Sequence, residues 1–206
     1  MTEVYFKHIF SSAFVLYKNI DLNHDEIFKD LKKLKYVPSD FSSKSYVTNS
    51  IKIFDKMKKG KLLRKTIGSY VDQAIKDFFQ FKINHKIINV WGTKTKTGGE
   101  SMFHKHIHFW LSFCYYPHGM KEDQFKIKFS NSNEFVFDVP VIHWNEYNSR
   151  EWTIDINKGD LLIFPSNLKH QISKNTSDND RYSIAGNILP YGKIGIKDSE
   201  IFLEAR

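Results

Sequence analysis

Residues 103–116 read FHKHIHFWLSFCYY, and this stretch restricts the fold more than any other part of the chain. In an extended strand successive side chains leave opposite faces. His104, His106 and His108 would therefore lie on one side, followed there by Trp110, Ser112, Cys114 and Tyr116. Three imidazoles gain little from one another, whereas a divalent transition metal is ligated well by imidazole nitrogen. The stretch is predicted to be a β-strand carrying a metal, with further ligands supplied by its neighbours.

Such a strand needs a sheet and a core around it. The 206 residues suffice for one domain with a sizeable core and are short for two. With 41% hydrophobic, 16% aromatic and 26% charged residues, the balance is globular and excludes a chain dominated by disorder. No apolar run is long enough to span a bilayer and no charged-then-apolar leader opens the chain, so a soluble, cytoplasmic protein without a membrane partner is predicted. The single cysteine, Cys114, excludes an internal disulfide, fits a reducing compartment and reads as a small buried apolar side chain. A net charge of +8 and a pI near 9.3 would suit an anionic partner such as nucleic acid. However, the lysines are scattered. The densest run, KMKKGKLLRK at 56–65, sits where a helix begins and reads as a solvated helix face.

Along the chain, residues 4–17 read as one or two short strands, with His8 structural. Asn23 and Glu26 have capping-box spacing, and Ile27, Leu31 and Leu34 share one stripe, predicting a helix over 24–34 that closes before Pro38. The serine-rich stretch 39–50 reads as a loop. Leu63, Ile67, Tyr70, Val71, Ala74 and Phe78 recur at three and four, predicting a longer helix in which Gly68 allows close approach to a sheet. From 86 the period becomes two: residues 86–93 form a strand, and 95–100, with Gly98 and Gly99, form a loop. Phe125, Ile127 and Phe129, the SNSN turn at 130–133, and Phe135, Phe137 and Val139 predict a hairpin with one wet face. Trp152, Ile154 and Ile156 precede the NKGD turn at 157–160 and the buried run LLIF. A strand around His170, the loop NTSDND and a strand over 181–189 follow.

About eight short strands with regular turns, after two helices, indicate a mainly β fold: a double-stranded β-helix, or jelly roll, of cupin-like type with the N-terminal helices packed outside. Within one domain, 1–85 would form the N-terminal strand and helical support, 86–190 the jelly-roll core and 191–206 a C-terminal tail. Such barrels hold ligands in the mouth.

The second half supplies partners for the histidine strand. In GDLLIFPSNLKH at 159–170, a turn leads to a buried strand, Pro165 bends the chain and His170 begins the return. A third imidazole from an adjacent strand would complete a facial ligand set. In RYSIAGN at 181–187, Arg181, Ser183 and Asn187 share a face. A guanidinium inside a barrel needs an anion, and a carboxylate meets it with two charge-assisted hydrogen bonds.

These three motifs, in this order, resemble the iron(II)- and 2-oxoglutarate-dependent oxygenases, particularly the 2OG-Fe(II) oxygenase group of marine bacteria and their phages. In that group a His-x-His pair precedes Leu-Ser and Tyr-Tyr, a Gly-Asp turn leads to Phe-Pro-Ser and a distal His, and an Arg-x-Ser strand follows. The resemblance covers 91–187. It implies that His104, His106 and His170 bind Fe(II), that Arg181 with Ser183 holds the distal carboxylate of 2-oxoglutarate, and that Ser112, Tyr116 and Asn187 line the co-substrate pocket. No catalytic residue beyond the metal ligands is implied. The second ligand, commonly Asp or Glu, is here His106, so three neutral ligands leave the metal's charge uncompensated until a carboxylate arrives. By spacing alone, His106 with His108 pairs as well as His104 with His106; only the match at Leu111 and Ser112 selects the latter.

The resemblance implies a dioxygenase using molecular oxygen, a hydroxylase of a small-molecule or protein substrate selected by the loops 95–100 and 141–150. Two other readings use the same residues. One is a cupin-like metal-dependent dioxygenase that does not use 2-oxoglutarate, the other a non-catalytic, metal-stabilised binding module with a basic surface. His8, His24, His85, His118 and His143 read as ordinary polar residues, and Trp91, Trp110, Trp144 and Trp152 as core. Arg181 alone would also suit an internal salt bridge.

Overall fold

The computed structural model describes residues 4–5, 12–40, 42–119, 125–131 and 139–204. Two sheets face each other. The larger has the order β1 (Val15–Tyr17), β8 (Leu161–Pro165), β5 (Leu111–Tyr115), β10 (Arg181–Ile194), β4 (Asn84–Ser101), β3 (Ser42–Thr48) and β2 (Tyr36–Pro38), with β11 (Ile201–Leu203) pairing β10. The smaller has the order β7 (Glu151–Ile156), β6 (Phe125–Ser130) and β9 (His170–Ile172). A bridge between His104 and His170 continues it on the β9 side. This is the double-stranded β-helix expected from the sequence.

Period-two alternation explains how the larger sheet serves two cores. On β5 and β8, Phe113, Tyr115, Leu161 and Ile163 turn outward to the helices, whereas Cys114, Leu162 and Phe164 turn into the barrel. Both faces are buried, so LLIF reads as a continuous apolar run. The inner cluster is completed by Ile127, Phe129 and Ile156 of the smaller sheet. Its outer face is wet: Lys126 and Lys128 pair with Asp155 and Glu151 across β6 and β7.

Helix α1 (His24–Leu31) starts as predicted, with Asn23 Oδ1 accepting the Glu26 N–H at 3.2 Å, but ends three residues early. Helix α2 (Gly60–Gln73) buries Leu63, Ile67 and Val71 against the larger sheet. It runs into a π-turn over Ala74–Phe78, whose wider winding carries Phe78 off the apolar stripe, leaving it 59% exposed. The basic run faces solvent, with Lys59 paired to Glu26 and Arg64 to Asp55. No helix among the described residues is long and apolar enough to cross a membrane.

Several local expectations are corrected. The serine-rich stretch is mostly strand β3, because β4 supplies hydrogen-bonding partners that composition does not reveal. For the same reason 95–100 is not a loop. β4 runs on to Ser101, and the turn at Gly98 (φ +75°) is bridged by hydrogen bonds between Gly98, Gly99 and Asn175. β6 pairs with β7 on one side and with β9 on the other. His8, Phe135, Phe137 and part of the SNSN turn lie outside the described residues, as do residues 6–11 of the predicted N-terminal strands; Val15–Tyr17 is the strand seen there. The close helix–sheet approach occurs at Gly92, not Gly68. A Cβ on Gly92 would lie 2.7 Å from Leu31 Cδ1 and 3.0 Å from the Tyr36 hydroxyl, whereas one on Gly68 meets nothing within 4 Å.

Alanine at these two glycines is expected to act with opposite sign. Gly68→Ala gains helix propensity and should stabilise by up to ~1 kcal/mol, while Gly92→Ala over-packs the helix–sheet seam and should destabilise by ~1–3 kcal/mol. Urea-unfolding midpoints of the two variants test this, and equal shifts would contradict it.

Candidate metal centre

The site sits where the chain leaves β4 and returns at β9. His104 and His170 exchange both backbone hydrogen bonds, at 3.0 and 2.9 Å, as a directly opposed antiparallel pair. Side chains of such a pair share a face, and the two rings lie 4.4 Å apart between centroids. The His106 N–H donates to the Ser166 carbonyl at 2.9 Å, bringing its ring 5.3 Å from His104 and 5.1 Å from His170. One ring nitrogen from each of the three lies within 4.8 Å of the others.

The carrier of these histidines is not a continuous strand. Residues 102–110 form a loop tied down at His104, His106 and Trp110, and β5 begins only at Leu111. His108 sits at φ +74°, a left-handed conformation that breaks the alternation. It is exposed and outside the convergent group, which leaves His104, His106 and His170 together. Trp110 is also off the predicted face, packing against the outer core with its ring 5.5 Å from Phe81. Beyond it the expected alternation holds: Ser112, Cys114 and Tyr116 are buried on the barrel side.

Each Nδ1 is engaged. That of His104 donates to the Met102 carbonyl at 2.8 Å and that of His170 to the Leu168 carbonyl at 2.9 Å. His106 Nδ1 lies 2.7 Å from Asn187 Oδ1 and 2.9 Å from Ser112 Oγ. A carbonyl oxygen only accepts, so the proton sits on Nδ1 and Nε2 carries the lone pair. Burial, opposed by the Asn187 hydrogen bond, pushes the His106 pKa down to about 4. Burial, reinforced by the neighbouring His104, pushes that of His170 down to about 3. Neutral imidazoles converging through Nε2 are a donor set that fits a divalent transition metal.

A second polar group lies deeper in the barrel. Arg181 is 2% exposed, and its guanidinium donates to the carbonyl and, at 3.4 Å, to the hydroxyl of Ser173, three residues beyond His170 on the β9 side. Beside it, the fully buried Tyr116 has its pKa raised well above the usual phenol range, chiefly by burial and with the Arg181 charge opposing. Cys114 is pushed up to about 11 by burial, with Tyr116 and Ser183 hydrogen-bonding it. Ser183 also hydrogen-bonds Thr93 across β10 and β4. Of the residues predicted for a co-substrate pocket, Arg181, Ser183 and Tyr116 therefore cluster, whereas Ser112 and Asn187 lie against His106. Thr93, Ser166 and Ser173 escaped the sequence reading. Thr93 shares the face of Trp91 on β4, but alternation does not distinguish a pocket wall from a core.

A cavity of about 550 Å³ opens along β7, lined by Trp144, Ser149, Arg150, Glu151, Trp152 and Thr153. Trp144 is 68% exposed and Trp152 45%, so neither is the core residue expected. Trp152 pairs with Phe129, which pairs with His170, placing the three in one row of the smaller sheet.

Residues 89–187 match the model of the family described as "Putative 2OG-Fe(II) oxygenase". The matched segment contains the three histidines, Arg181 and Asn187. No curated protein matches the sequence. Among solved structures, HygX from Streptomyces hygroscopicus, with nickel, 2-oxoglutarate and hygromycin B bound, is similar at a TM-score of 0.64 and 12% identity, over 87% of this chain and 83% of that one. A prolyl-4-hydroxylase from Pseudomonas putida is similar at 0.62 and 10% identity, over 88% and 95%. The epimerase SnoN from nogalamycin biosynthesis, described as α-ketoglutarate dependent, is similar at 0.65 and 10% identity, over 86% and 76%. At such identities the likeness is one of fold, and it is the fold that the alternation and strand pairing already indicate. The segment that carries the site is the one matched to the 2OG-Fe(II) oxygenases, oxidoreductases that work with iron, 2-oxoglutarate and oxygen.

Proposed function

We propose that His104, His106 and His170 hold iron(II) through Nε2, that Arg181 binds the far carboxylate of 2-oxoglutarate, and that the enzyme hydroxylates its substrate. The observation that carries this reading is a three-imidazole set and a buried guanidinium on one barrel interior. Ser173, which Arg181 contacts, lies three residues beyond His170.

When bound, the iron supplies the oxidative chemistry, in which 2-oxoglutarate loses carbon dioxide to become succinate, one atom of O₂ entering it and the other the substrate. The chain's own residues bind and orient. Three neutral imidazoles leave the metal's two positive charges to be met by the keto acid, so metal and co-substrate should bind cooperatively. Arg181 meets the distal carboxylate with two charge-assisted hydrogen bonds. Tyr116 and Cys114, kept protonated by burial, add no competing negative charge beside it. The groove along β7 is the proposed substrate-docking face. Its volume falls in the small-molecule range of ~300–1,000 Å³, and its two indoles offer flat apolar surfaces, that of Trp152 in the row of His170.

Two measurements test this. The purified protein given ferrous iron and 2-oxoglutarate without oxygen should develop a weak visible charge-transfer band, absent in His170→Ala. Arg181→Ala should keep its metal but lose ~2–5 kcal/mol of 2-oxoglutarate binding. Oxygen uptake indifferent to both 2-oxoglutarate and Arg181 would instead favour the dioxygenase that dispenses with this co-substrate.

The pKa directions add a stability prediction for chelator-stripped protein. His106 and His170 titrate near 6.5 when unfolded but well below it when folded, so the folded state favours their neutral forms. That stabilisation is complete above pH 6.5 and lost as pH falls toward 4 and then 3. The unfolding midpoint should drop on acidification through this window, and less steeply in His170→Ala.

A further inference from the structure

The three histidines are not held alike. His104 and His170 each donate Nδ1–H to the backbone carbonyl two residues earlier in their own loop, an anchor that no substitution elsewhere removes. His106 depends on side chains. Its Nδ1–H is shared between Asn187 Oδ1 at 2.7 Å and Ser112 Oγ at 2.9 Å. The Ser112 hydroxyl donates to the same Asn187 oxygen at 2.9 Å, and Ser166 Oγ lies 2.8 Å from Ser112 Oγ.

The proton count of this network is determined. Asn187 Oδ1 carries no hydrogen and receives two; Ser112 spends its one proton on Asn187, so Ser166 must donate to Ser112. The proton between His106 and Asn187 therefore belongs to Nδ1. Ser112 and Ser166 are fully buried and Asn187 is 4% exposed, so water does not compete for these bonds. The backbone is shaped for the contact as well. The pairing of β10 with β4 shifts register between Asn187 and Ile188, an irregularity of the kind that re-aims a side chain beside a functional site.

Resting on the metal reading above, we infer that Asn187, braced by Ser112 and Ser166, is a positioning residue. It fixes His106 as the Nδ1–H tautomer and aims its Nε2 at the metal, instead of lining the co-substrate pocket. Hydrogen bonding to the second nitrogen of a ligating imidazole raises its basicity and sets its orientation, and its loss typically costs 10–100-fold in metal affinity.

Anaerobic titration with Mn(II), followed by calorimetry in the full chain, tests this through Asn187→Ala and Asn187→Asp. Asn187→Ala should weaken Mn(II) binding by roughly 10–100-fold, while 2-oxoglutarate affinity at saturating metal changes less than about threefold. Asn187→Asp, isosteric and accepting the same proton with a full negative charge, should bind Mn(II) at least as tightly as the parent. Thermal unfolding of the metal-free variants identifies any that fail to fold, and the isosteric aspartate keeps the test decisive if alanine does. Parent-like Mn(II) affinity in Asn187→Ala, or a loss confined to 2-oxoglutarate, overturns the inference and returns Asn187 to the pocket. Failure of the parent itself to bind Mn(II) defeats the metal reading instead.

Discussion

The paired backbone hydrogen bonds between His104 and His170 are the contact on which the site depends. They join the chain leaving β4 to the start of β9, extend the smaller sheet by one position and set two imidazoles on the same face. Because β9 is also paired to β6 through Phe129 and Ile127, the histidines are referenced to a packed core and not to a free loop. His106 reaches the same place by a different route. Its backbone is tied to Ser166 after β8, and its ring is braced from β5 and β10. Three elements of the barrel thus meet at one point, and none of the three positions is free to move alone.

Electrostatics divides the interior into two zones. At His106 and His170 burial favours neutral imidazole, the form that would take a metal without displacing a ring proton. Deeper in, Arg181 is a buried cation among hydroxyls, a thiol and a phenol that burial keeps uncharged. A cation at one end and a metal at the other would leave the cavity short of negative charge, which a dicarboxylate supplies at both ends. On the proposed reading, His106 would stand where a carboxylate is common in such enzymes and would sharpen this dependence on the bound acid.

The fold was legible where a signal was local. Period-two alternation located β7 and the start of β10, a continuous apolar run located β8, the NKGD turn appears with Gly159 at φ +88°, and Asn23 caps its helix. Two of the errors share one cause, which is pairing with a distant segment. Serines at 42–48 become strand because β4 runs alongside them, and Gly98 does not end β4 because Asn175 bridges it. Alternation also ran one turn too far: 103–110 has strand composition, yet His108 takes a left-handed conformation and Trp110 faces the other core.

By itself the sequence determined the donor groups and their order along the chain, and its periodicity determined a mainly β sandwich with helices on one side. Tertiary structure alone decided which donors meet. Spacing left His104–His106 and His106–His108 equivalent, and the choice was made by a backbone pair between residues 66 positions apart, His104 and His170. It also decided that Asn187 and Ser112 face His106, while Ser183 and Tyr116 gather near Arg181. Side-chain direction along a strand follows from local geometry, but which strands lie opposite is chosen by burial of the whole core.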